Sequence, residues 1–125
     1  MDQLAYIADQ LKLLGDRTRL TMLSLLKERE WCVCEFVKVF DISQPGISQH
    51  LRKLKSQGIV KEARRGQWVH YSLNVEDKPH IQAVLQCMPD EQQILKLLNK
   101  EEPAAACGPN SASAPAKDSM EKFPL

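Results

Sequence analysis

Apolar residues recur at helical spacing at Leu4, Ile7, Leu11 and Leu14, and Gly15 follows in a position that favours a helix stop. Asp16 is then a candidate N-cap for a second helix, whose stripe Leu20, Leu23 and Leu26 runs to the charged cluster Lys27 to Glu30. A short third helix is predicted over about Cys32 to Phe40. After a turn at Asp41-Ile42 a fourth starts with Ser43 as N-cap and Pro45 in its first turn, where a missing amide hydrogen costs little; Gly58 ends it. The period then changes. Ile59 to Arg65 and Gln67 to Leu73 are β-rich runs separated by Gly66, which predicts a hairpin with a tight turn. Helical spacing returns with Ile81, Val84, Leu85 and Met88, breaks at Pro89 and resumes at Ile94, Leu97 and Leu98. These last apolar faces need a partner. Beyond Lys100 the chain is Ala-, Pro- and Ser-rich, with Pro103, Pro109 and Pro115 and almost no bulky apolar residue before Phe123. The expected organisation is one domain over residues 1–100 and a disordered tail over 101–125, with no internal repeat.

Length and composition sharpen this pattern. The 125 residues, 43% apolar, suffice for one core without disulfide staples. Four cysteines invite the question of disulfides, but Met1 to Leu14 carries acids and amides and no long apolar run, so a signal peptide is not expected and a reducing cytoplasm is. No stretch approaches the roughly 18 to 20 apolar residues of a membrane span, which sets membrane roles aside. The net charge of +1 hides an uneven distribution. Between Ser43 and Tyr71 stand Arg52, Lys53, Lys55, Lys61, Arg64 and Arg65 against the single acid Glu62, a net of +5, so the remainder is acidic.

Two helices joined by a short turn and followed at once by a basic hairpin are the order of a winged helix-turn-helix, a mainly α fold with a β-hairpin wing. The local charge is a footprint for phosphates. Near the start of the second helix, Gln44, Ser48 and Gln49 are short or amide side chains suited to base edges in a major groove. Ile47, Leu51 and Leu54 lie on another face and would pack inward. Arg52, Lys53, Lys55, Arg64 and Arg65 are placed to hold backbone, with Gln67 at the wing. His50 reads equally as a phosphate contact or as packing at the helix edge, and Trp68 and Tyr71 as anchors at the wing root.

Cys32-Val33-Cys34 sits where the first helix of this pair begins. A thiol at a helix N-terminus has its pKa lowered by the local positive potential, which favours the thiolate that soft ions bind. Two residues along a regular helix is about 200° of rotation, so the sulfurs meet only if the first turn is unwound or distorted. Ligation there would shift the support of the reading helix. The bland alternative is a pair of small buried apolar residues.

The runs Leu13-Leu14-Gly15-Asp16-Arg17-Thr18-Arg19-Leu20, Cys32-Val33-Cys34-Glu35-Phe36, Ser43-Gln44-Pro45-Gly46-Ile47-Ser48-Gln49-His50-Leu51 and Gly66-Gln67-Trp68-Val69-His70-Tyr71 closely resemble the ArsR/SmtB family of metal-responsive repressors, over roughly residues 4 to 100. The resemblance implies a symmetric dimer built mainly from the first and last helices. Such a dimer binds an inverted repeat in double-stranded operator DNA without any cofactor and leaves when an inducer binds. The Cys-Val-Cys signature is similar to that of the arsenite- and antimonite-responsive branch, which makes Cys32 and Cys34 two ligands for As(III) or Sb(III). Some members carry a third cysteine where this chain has Val37, so Cys87, Cys107 or a small non-protein thiol would complete a trigonal site. Cadmium- and lead-responsive relatives use further cysteines near the N-terminus, which this chain lacks. Zinc-responsive ones use several ligands on the last long helix, where His80 stands without a second histidine downstream and reads as a surface residue.

Three rivals remain on the residues alone. A redox sensor of the same fold would pair Cys32 or Cys34 with Cys87 or Cys107. An intracellular metal carrier would bind no DNA, against the +5 segment. An enzyme would need a nucleophile with a base, a phosphate loop or paired acids, and no such constellation is present.

Overall fold

A computed structural model describes residues 2–98. Helix α1 (Gln3–Leu14) begins at Asp2, whose carboxylate accepts the Ala5 amide, and α2 (Arg17–Leu26) begins at Asp16, which accepts the Arg19 amide at 3.0 Å. Gly15 closes α1 without the left-handed turn usual for a terminal glycine: its φ is −71°, and its amide bonds Lys12 and Leu13 carbonyls. A two-residue strand β1 (Trp31–Cys32) precedes α3 (Val33–Phe40). A three-residue turn, with Asp41 left-handed at φ 55°, leads to α4 (Gln44–Ser56), where Ser43 caps the Gly46 amide and Pro45 lies in the first turn. A Cβ at Gly46 would lie 2.7 Å from an Ile42 methyl, so a larger residue there would force the Ile42 side chain to shift.

Strands β2 (Val60–Arg65) and β3 (Trp68–Leu73) form the hairpin, Arg65 opposite Trp68, with Gly66 at φ +64° in its two-residue turn. The sheet has three strands in the order β1-β3-β2, antiparallel throughout, with Trp31 opposite Tyr71 and Cys32 opposite His70. The third strand corrects the sequence reading, which ran a helix from Cys32: Cys32 is extended at φ −94°, ψ 164°, and the helix starts one residue later. Helices α5 (Pro79–Gln86) and α6 (Glu91–Leu97) follow, separated by Pro89 and restarted by Asp90, which exchanges capping bonds with Gln93.

The core gathers Met22, Leu23 and Leu25 of α2, Trp31, Phe36 of α3, Ile47, Leu51 and Leu54 of α4, Ile59 and Ile81. Trp31 stacks on Phe36 with centroids 5.1 Å apart. Of the α1 stripe only Leu14 is buried, while Leu4 is 81% exposed, as is Leu97 of α6 at 79%. Residues 101–125, including Cys107, lie outside the described residues. Among the described residues no helix is long and apolar enough to cross a membrane.

Candidate functional site

Cys32 closes β1 and serves as N-cap of α3, while Cys34 lies in the first turn. The extended backbone at Cys32 removes the 200° problem, because only one of the two residues is helical, and the sulfurs stand 2.8 Å apart. Cys32 is buried and Cys34 half-buried. Glu35, three residues on, accepts the Cys32 amide at 2.9 Å and takes Arg29 Nη1 on its other oxygen at 3.3 Å. Burial pushes the Glu35 carboxyl above its ordinary range against the pull of Arg29. The Arg29 guanidinium lies 4.1 Å over the Trp31 ring and also meets Glu91 of α6 at 3.5 Å. Glu28 accepts the Glu91 amide at 2.8 Å, and Lys27 reaches the Leu85 and Met88 carbonyls at the end of α5. The segment entering the thiol pair is thus bonded to both C-terminal helices.

The sequence reading did not find this network. Its one legible signal was Glu35 three residues after the residue that caps α3, the spacing of a capping box with cysteine in the place of serine or threonine.

No group of three His, Cys, Asp or Glu forms around the pair or elsewhere among the described residues. Cys87 is exposed at the end of α5, its Sγ toward the Ala83 carbonyl, and does not join Cys32 and Cys34 in such a group. His80 departs from its reading as a surface residue. It is half-buried, with Nε2 2.6 Å from Oε1 of the fully buried Gln10 and its ring edge-on to Tyr6, and Gln10 in turn donates to the Gln57 carbonyl at the end of α4.

On α4, Ile47, Leu51 and Leu54 point into the core, leaving Gln44, Gln49, Arg52, Lys53 and Lys55 exposed and Ser48 half-buried. His50 is half-buried at the helix edge, with Nδ1 3.3 Å from Arg19 Nη1 of α2. Arg64, Arg65 and Gln67 are exposed on the wing. Two of the cations are already engaged: Lys55 meets Glu62 at 3.0 Å, and Arg65 grips Glu30. Glu62 also accepts the Tyr71 hydroxyl, and Tyr71 packs against the core as a wing-root anchor. Trp68 is half-buried at the far end of the hairpin.

The profile of bacterial regulatory proteins of the arsR family matches residues 16–62, from the cap of α2 into β2. The arsenic resistance transcriptional regulator ArsR2 of Pseudomonas putida is 42% identical over 79 residues, 62% of this chain and 69% of that protein. The chain belongs to the ArsR family. The ArsR1 regulator of the same organism is 42% identical over 83 residues, 66% of this ArsR-family chain and 65% of its own length. The matched segment therefore spans about two thirds of these curated relatives. Among solved structures, the homodimeric winged helix-turn-helix DNA-binding domain of a Mycobacterium bovis protein superposes with a TM-score of 0.60 at 30% identity, covering 67% of this chain and 78% of that one. The ArsR-family fold is that of DNA-binding regulators, not of enzymes.

Proposed function

We propose that this protein is a cytoplasmic, homodimeric transcriptional repressor that holds double-stranded operator DNA and is released when the sulfurs of Cys32 and Cys34 bind trivalent arsenic or antimony. The observation that carries the reading is the 2.8 Å approach of two sulfurs at the junction of β1 and α3. Soft sulfur donors suit a thiophilic ion, and the arsenic-resistance names of ArsR1 and ArsR2 favour arsenite among such ions. Cys107, Cys87 or a small thiol supplies the third donor. DNA binding itself needs no cofactor.

In this reading Gln44, Ser48 and Gln49 face base edges, while Arg52, Lys53, Lys55, Arg64 and Arg65 hold phosphates, joined by His50 at the helix edge and Gln67 on the wing. The chain offers two routes from the thiols to DNA. Cys32 belongs to the strand paired with β3 of the wing, and Cys34 belongs to α3, which packs on α4. The inducer bridges two thiolates that belong to different elements, so its binding energy differs between arrangements of β1 and α3; that difference is what a release switch requires.

A second reading keeps the fold and makes oxidation the signal. The closeness of the sulfurs favours it and directs oxidation to the Cys32–Cys34 pair itself rather than to Cys87. Fluorescence anisotropy of the reduced protein on its upstream promoter DNA, with and without arsenite, separates the two. Wild type should bind and be released by arsenite, while Cys32→Ser and Cys34→Ser should bind and ignore it. Binding that responds to peroxide but not to arsenite establishes the second reading instead.

A further inference from the structure

Arg65 stands at the hairpin end of β2, opposite Trp68, yet its guanidinium reaches back to the segment that enters β1. Nη1 donates to Glu30 Oε1 at 2.6 Å and Nη2 to Oε2 at 3.1 Å. The side chains are 58% and 40% exposed, so burial does not hold them together; the two-point fit of a planar fork on a carboxylate does. A DNA phosphate offers the same guanidinium the same two-point geometry. An exposed ion pair of this kind opens at little cost. Arg64, its neighbour on the strand, makes no ion pair among the described residues and is presented to solvent, whereas Arg65 is already occupied.

We propose that Glu30 is an internal competitor for Arg65, a carboxylate standing in for phosphate, which lowers DNA affinity and flattens its salt dependence by holding the wing cation until DNA displaces it. The inference rests on the DNA-binding reading above. When Arg65 transfers to phosphate, a counterion leaves the DNA, but the abandoned Glu30 takes one up. Wild-type binding therefore gains less from low salt than its count of phosphate contacts would give.

The test is a double-mutant cycle on the full chain, with Glu30→Gln, Arg65→Gln and the double substitution bound to labelled promoter DNA across a salt series. Glu30→Gln should bind roughly three- to tenfold more tightly at low salt, with a log–log salt slope steeper by up to about one per protomer. Arg65→Gln should weaken binding, and adding Glu30→Gln to it should change nothing further. Thermal melts of the variants confirm that the fold is kept, as expected for exposed side chains. An unchanged affinity in Glu30→Gln overturns the proposal, as does equal tightening in the Arg65→Gln background, which would mean that Glu30 acts on DNA through its field alone. A wild type that binds no DNA at any salt overturns the repressor reading itself, an outcome distinct from both.

Discussion

Burial lowers the pKa of the His50 imidazole, with Arg19 and Lys53 pushing the same way and Asp16 opposing. Neutral, the ring can accept from Arg19 through Nδ1, which ties α4 to α2 at 3.3 Å. An unfolded histidine takes up its proton near pH 6.5, whereas the native one holds out to lower pH, so acidification through this window favours the unfolded chain and the native contribution is intact above it. Urea midpoints of wild type should fall between pH 7.5 and 5.5, and those of His50→Gln, which keeps an acceptor and removes the titration, should fall less. An equal fall in both would take His50 out of the acid response. At this scale the sequence left His50 open between a phosphate contact and edge packing. The Arg19 contact supplies the packing, from a partner 31 residues away that no local pattern announces.

The elements show why some of the fold was readable and some not. Asp16 and Ser43 were legible as caps because a side-chain acceptor beside an apolar stripe acts within one turn. The hairpin was legible from Gly66, whose positive φ costs most other residues about 1–2 kcal/mol. Gly66→Ala, with open space around the added methyl, should therefore lose about 1 kcal/mol in urea unfolding through backbone strain alone. A loss within error would mean that the turn relaxes to another geometry. Strand β1 was not legible: two residues carry no period, and their strand character comes from pairing with β3, some forty residues later. That omission left the convergence of Cys32 and Cys34 resting on an unwound or distorted first turn; the extended Cys32 ahead of a regular helix achieves it. The ion pairs Arg29–Glu91 and Arg65–Glu30 join residues far apart in sequence and were likewise out of reach of local reasoning.

At the scale of the molecule, Leu4, Tyr6 and Leu11 of α1 and Leu97 of α6 leave apolar surface on the first and last described helices. The superposed Mycobacterium bovis domain is a homodimer, and these are the helices that the family resemblance assigns to such an interface. Leu4→Lys with Leu97→Lys should shift sedimentation from dimer to monomer and weaken operator binding, because two half-sites are then no longer held by one particle. A double variant that sediments as wild type would move the interface elsewhere. The short strand β1 has a consequence for how such a regulator diversifies. In the proposed function the residues that bind the ion are Cys32 and Cys34, at the junction of β1 and α3, and those that face DNA lie on the outer side of α4 and on the wing, with Phe36, Ile47 and Leu51 in the core between α3 and α4. In that reading the two sets can vary separately so long as that core and the pairing of β1 with β3 are kept. A lineage can thus acquire a new signal while retaining its promoter, or move to a new promoter while retaining its signal.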